Sequence, residues 1–306
     1  MSGLTQRKRN AASDVLDEHE GGVSGAGVGG GLGASSSSMD FKDAETEFGG
    51  DEEDDDDRDK SGKRANKLTL MEEILLLGLK DSQGHLSFWN DNISYVLRGC
   101  ILMELSFRKR ISTVPEVRKR PYSERLLQVI DDRSTGEVLL DEALRMIKTD
   151  SQSIASWIDL MSGETWNLMS FNYQLKQVRE RIAKGLVDKG VLRTEKRNFI
   201  LFDMATHPVA DYSVKEQLVQ KTVDCLLGRG SAPSKQLVAM CCASYAANVL
   251  ENALVGLNHV QREQAFTKVD EMLQTWASMG EKAKAAGCDD VMAGVLSVYT
   301  KMDSLL

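Results

Sequence analysis

The run DNISYVLRGCILMELSF, Asp91 to Phe107, is hard to place anywhere but at the centre of a fold. At about 100° per residue, Ile93, Tyr95, Val96, Leu97, Cys100, Ile101, Leu102, Met103 and Leu105 point in almost every direction. The segment therefore reads as a helix buried all round. Arg98 stands in its middle. Removing a guanidinium from water costs several kcal/mol, comparable with the net stability of a whole domain, unless something anionic meets it. Composition favours an internal ion pair, with Glu104 or a carboxylate of a neighbouring helix. The alternative is the phosphate of a ligand, which the planar fork of arginine suits.

Charge is unevenly distributed along the 306 residues, whose net charge is −8. Met1 to Lys67 hold 16 acidic and 9 basic residues, which leaves 30 and 29 for the remainder. A nearly neutral body argues against a broad nucleic-acid surface. Residues 1–66 combine the basic run Arg7, Lys8, Arg9, a Gly/Ser tract and the acidic block Asp51 to Asp57, with few large apolar side chains. They read as a disordered tail in front of a helical domain spanning 67–306. GAGVGG within the tail has no strand before it and no helix after it, so it is not a dinucleotide site. The five cysteines have no paired spacing that would suit zinc or a disulfide framework, and read as reduced thiols of a cytosolic protein. No apolar run reaches the roughly 18 residues a membrane span needs, so any membrane contact is expected to be peripheral.

Within the body, Thr69 to Glu72 is a capping box opening an apolar helix that runs to about Leu79. Trp89 lies on the connection into the central helix. Strand-like Ile111–Val114 and Leu126–Ile130 precede helices over Val138–Lys148 and Ser151–Met161. Phe171 to Lys189 is predicted as one amphipathic helix with the stripe Phe171, Leu175, Val178, Ile182, Leu186, closed by Gly190. Val191–Thr194 and Asn198–Met204, joined by Glu195-Lys196-Arg197, are predicted as a β-hairpin. From Val214 onward several packed helices are expected, broken near Gly228–Pro233, Gly280 and Gly287. The fold class is thus mainly α, with one large helical domain, a small winged-helix-like hairpin and the tail. Helix followed by basic hairpin also describes a nucleic-acid-binding winged helix, which is the rival reading.

No enzyme constellation emerges. The four histidines are scattered, no G-x-S-x-G, H-E-x-x-H or Walker A sequence occurs, and no metal or cofactor site is expected. A binding protein is the expectation.

Six stretches carry a more specific message: LTLMEEILLLGLKD (Leu68 to Asp81), SFWNDNISYVLRGC (Ser87 to Cys100), TGEVLLDEAL (Thr135 to Leu144), SGETWN (Ser162 to Asn167), QVRERIAKGLVDKGVL (Gln177 to Leu192) and NFILFDMATHP (Asn198 to Pro208). Together they resemble the Golgi phosphoprotein 3 family. The resemblance implies a helical domain that binds phosphatidylinositol 4-phosphate on the cytosolic face of Golgi membranes. It implies an adaptor that retains glycosyltransferases by linking their cytosolic tails to coatomer, with no catalytic activity and no nucleic-acid partner.

By the same resemblance, the headgroup pocket uses Trp89, Arg98, Lys176 and Arg179, which supports the phosphate reading of Arg98. The hairpin residues Phe199, Ile200, Leu201 and Phe202 match the family element for membrane insertion or self-association into a homo-oligomer. On composition alone they would pack on the domain's own core. Arg7, Lys8 and Arg9 match the basic cluster that engages coatomer.

Overall fold

The central helix α2 (Asn92–Phe107) is enclosed as its residue pattern requires. Eleven of its sixteen residues are buried, Arg98 and Glu104 among them. The computed structural model describes residues 67–80, 92–117, 120–163, 172–199, 202–285 and 287–303, all belonging to the unit Asp57–Leu306. The tail, including Arg7, Lys8 and Arg9, lies outside the described residues, as do Trp89, Ile200 and Leu201.

Around α2 pack α1 (Leu70–Gly78), α3 (Val138–Thr149), α4 (Ile154–Ser162), α5 (Val178–Asp188), α7 (Lys235–Ala246) and α11 (Asp290–Asp303). An outer set comprises α6 (Tyr212–Leu226), the short α8 (Leu250–Ala253), α9 (His259–Ala277) and α10 (Glu281–Ala285). Each fully buried Leu or Ile of α2 contributes about 1.5–3 kcal/mol relative to exposure, so the core is organised on this helix. The closest approach is at Gly99. A Cβ placed there would lie 2.3 Å from Tyr299 Oη on α11, and that hydroxyl donates to the Val96 carbonyl at 2.8 Å. Glycine lets the two helices meet backbone to side chain.

The predicted capping box is present: Thr69 Oγ1 accepts from the Glu72 N–H, and the Thr69 N–H donates to Glu72 Oε2 at 2.8 Å. Glu72 is buried and also meets Lys189 Nζ at 2.7 Å, which ties the start of α1 to the end of α5. Glu104 accepts from the Leu70 N–H at 3.0 Å and from Arg108 Nε at 2.9 Å. Between these carboxylates, Glu73 has its pKa pushed up to about 7, first by burial and then by the negative charge of Glu104.

Among the described residues there are two small antiparallel sheets. Strand β1 (Ile111–Thr113) pairs with β2 (Leu127–Val129), with Ser112 opposite Gln128. Strand β3 (Glu195–Phe199) pairs with β4 (Phe202–Thr206), with Phe199 opposite Phe202. The chain is therefore mainly helical with a small hairpin following α5, as the sequence pattern predicts.

Two local expectations are corrected. Of the helix predicted over Phe171–Lys189, Phe171 lies outside the described residues and the α-helix begins only at Val178, because Gln177 is left-handed (φ 52°) and the backbone of Leu175 is engaged elsewhere. The Leu175 N–H donates to the Met161 carbonyl instead of into an i to i−4 ladder, and the Leu175 carbonyl accepts from Arg98. In the hairpin, Glu195-Lys196-Arg197 is not the turn but part of β3. Leu192 bridges Val209 in the same register, so Val191–Thr194 leads into β3 on one arm, and only residues 200 and 201 separate the strands. Charge along an exposed strand resembles a loop in one dimension.

Candidate functional site

Arg98 is 7% exposed and donates to three backbone carbonyls: Ser94 through Nη1 at 2.6 Å, Leu175 through Nη2 at 3.0 Å and Met161 through Nε at 3.3 Å. Glu104, the ion-pair partner expected from sequence, is committed to Arg108 and the Leu70 amide. Carbonyl oxygens, with their partial negative charge, thus share the solvation of the guanidinium. Met161 lies in the last turn of α4, where helix carbonyls lack intrahelical partners and the macrodipole is negative, a favourable place for a cation. Gly163 (φ 80°) ends that helix in a left-handed cap and leaves the Met161 carbonyl to Arg98 and the Leu175 amide.

This arrangement brings two of the sequence-selected residues together. The Leu175 carbonyl held by Arg98 belongs to the peptide bond whose nitrogen is that of Lys176. Lys176 follows on an exposed turn, and its ammonium has no hydrogen-bond or ion-pair partner among the described residues. Arg179 sits in the first turn of α5 and is half-buried. An exposed lysine one peptide bond from the carbonyl that Arg98 holds, next to the amino end of a helix, makes a corner suited to a polyanionic group.

The other basic pair on α5 differs. Arg181 is bound to Glu142 of α3 at 2.6 Å, so its charge is locally neutralised. Lys184 is exposed on the same helix. Similar pairing engages two residues of the basic run Arg108-Lys109-Arg110: Arg108 meets Glu104, and Arg110 meets Asp131.

Sequence reading missed the carbonyl cradle itself. The Met161 and Leu175 oxygens have no side-chain signature, and the only local hint was Gly163 after an apolar helix. It also missed Tyr95, whose hydroxyl donates to Asp159 Oδ1 at 2.6 Å and ties α2 to α4 one turn before Arg98. Phe199 and Phe202 stand opposite one another at the end of the β3–β4 ladder. Among the described residues no helix is long and apolar enough to cross a membrane.

Known proteins share this organisation in sequence. The pattern of the Golgi phosphoprotein 3 (GPP34) family matches residues 70–288, which include every element from α1 to α10. Vacuolar protein sorting-associated protein 74 of Schizosaccharomyces pombe is 51% identical over 279 residues, covering 78% of this chain and 83% of that protein. The protein of the same name from Eremothecium gossypii is 45% identical over 287 residues, covering 81% and 87%. These matches bear out the resemblance carried by the six motifs, and the chain belongs to the Golgi phosphoprotein 3 family.

Proposed function

We propose that this protein is a non-catalytic, peripheral sorting adaptor of Golgi membranes, and that the corner at Arg98 is its phosphatidylinositol 4-phosphate site. The observation that carries the reading is the juxtaposition of Arg98 and Lys176 at one peptide bond, with Lys176 unpaired and Arg181 neutralised. Exposed Lys176 and half-buried Arg179 contact the phosphate, and Trp89 serves as the interfacial aromatic. Ile200 and Leu201, between the strands of the hairpin, add apolar contact with the bilayer or with a second copy. The tail engages coatomer through Arg7, Lys8 and Arg9, and the cytosolic tails of glycosyltransferases are the cargo. The relatives' name, which speaks of vacuolar protein sorting, supports a role in membrane traffic.

Flotation with liposomes each containing one phosphoinositide tests the reading. Selective recovery with phosphatidylinositol 4-phosphate, lost in Lys176→Ala, is expected. Equal recovery with every anionic lipid would overturn the specific site. The order of α5 followed by a hairpin is the feature a nucleic-acid reading would claim. It predicts salt-sensitive shifts of DNA or RNA probes and no lipid preference, whereas the pairing of Arg108, Arg110 and Arg181 opposes it.

A further inference from the structure

The β1–β2 sheet contains an edge whose backbone is only partly used. The Ile130 N–H donates to the Arg110 carbonyl and the Val114 N–H to the Leu126 carbonyl, both in the register of the β1–β2 ladder. Antiparallel strands alternate, so the even-numbered residues of β2 face β1 and the odd-numbered ones face away. The Leu127 N–H accordingly leaves the sheet and donates to the Gln152 carbonyl at 3.0 Å. Beyond that bond the segment before α4 diverges from β2. The Val129 N–H and C=O, and the Leu127 C=O, then have no hydrogen-bond partner among the described residues.

These groups look into a groove of about 550 Å³ between β2 and the end of α3, walled by Ile147, Thr149 and Ser151. Ile130 lies at its rim with 54% of its surface exposed. An unpaired strand edge is a template for another strand, and natural sheets that keep one usually cover or charge it. Here it is charged on one side. Asp131, Asp132 and Asp150 line the groove against the single cation Lys148. Lys148 is paired with Asp132, and Asp131 with Arg110 and Arg133, which lie outside the groove. Among the described residues the Asp150 carboxylate is met only by the Ser151 amide and the Gln152 side chain.

We propose that this groove is a docking site for a short, extended, basic segment of a partner protein, added as a third strand along β2. One residue of the segment exchanges two backbone hydrogen bonds with Val129, a neighbouring apolar side chain covers Ile130, and a Lys or Arg reaches Asp150. Charge complementarity selects the occupant: Asp150 has no cationic partner among the described residues, so a basic side chain gains a contact there and an acidic one is repelled. So few backbone bonds make the contact a weak one, suited to repeated capture and release. The inference goes beyond the lipid site and stands or falls independently of it.

The test is selection of random dodecapeptides on the immobilised full chain, followed by titration of the enriched peptides by fluorescence anisotropy. Enriched sequences are expected to carry net positive charge and to bind in the micromolar range. Asp150→Arg, and Val129→Pro, which removes an N–H that the fold does not use, should each weaken binding at least tenfold while liposome flotation stays as in wild type. Methylating alternate peptide nitrogens should weaken binding as much, and this arm needs no protein variant. The proposal is overturned if nothing is enriched over blank matrix, if the enriched peptides are acidic, or if methylated peptides bind equally well. It is also overturned if deleting residues 1–60 raises peptide affinity tenfold, because the occupant would then be the chain's own tail.

Discussion

The guanidinium of Arg98 and the carbonyl of Leu175, 77 residues apart in sequence, are joined by a 3.0 Å hydrogen bond. That bond sets where α5 begins and where Lys176 stands, so Arg98 has a structural duty before any ligand arrives. Replacing it with Ala takes a donor from three carbonyls, of which that of Met161 keeps the Leu175 amide while that of Leu175 is buried. Arg98→Ala should lower stability by about 2–5 kcal/mol, measurable as a shifted urea midpoint. An unshifted midpoint would show that water replaces the guanidinium without cost.

Lys176 and Arg181 separate binding from structure. Lys176→Ala should leave the melting temperature within about 1 °C, since an exposed and unpaired side chain contributes little to stability. It should remove most of the preference for phosphatidylinositol 4-phosphate in flotation, at roughly 1.5–3 kcal/mol for a lost charge-assisted contact. Arg181→Ala breaks the pair with Glu142. Because both partners are partly exposed, it should cost no more than about 1 kcal/mol of stability and spare the lipid preference. Reversal of this pattern would put the headgroup on the opposite flank of α5.

Gly99 and Tyr299 should behave as one unit. Gly99→Ala forces a methyl group against Tyr299 Oη, and overpacking of this kind costs about 1–3 kcal/mol. Tyr299→Phe alone loses the hydrogen bond to the Val96 carbonyl, at about 1 kcal/mol. In the double variant the methyl group gains the space of the missing hydroxyl, so the losses should fall short of additive by at least 0.5 kcal/mol. Additive losses in chemical denaturation would mean that Val295, also close to that position, is the obstacle instead.

Glu73 should make stability fall as pH rises. Its folded pKa, about 7, lies above the ordinary 4.5, so the folded state holds a proton that the unfolded chain releases. This contribution is fully present below about pH 4.5 and is lost as pH climbs through 7. The loss is on the order of 3 kcal/mol at most. Glu73→Gln should be more stable than the parent at pH 8, and the difference should shrink toward pH 5. A pH-independent difference between the two would place the titration elsewhere.

Much of this protein was legible in one dimension. The all-round apolar pattern of Ile93 to Leu105 determined a buried α2, because no surface position could tolerate it. The capping box at Thr69, the glycine ends at Gly163 and Gly190, and the family motifs were local signals that the fold keeps. Other features depend on atoms distant in sequence. Arg98 was rightly read as a charge in need of a partner, yet among the described residues it meets backbone carbonyls, and only the packing of α2 against α4 and the segment before α5 brings those of Met161 and Leu175 to it. The same packing overrode the helical periodicity around Leu175, since tertiary hydrogen bonds compete directly with the helix ladder. The hairpin turn moved from Glu195-Lys196-Arg197 because strand register is decided by the partner strand rather than by local polarity. The open edge at Val129 has no sequence signature at all. Backbone groups are the same in every residue but proline, and only the path of neighbouring segments decides which of them are left without a partner.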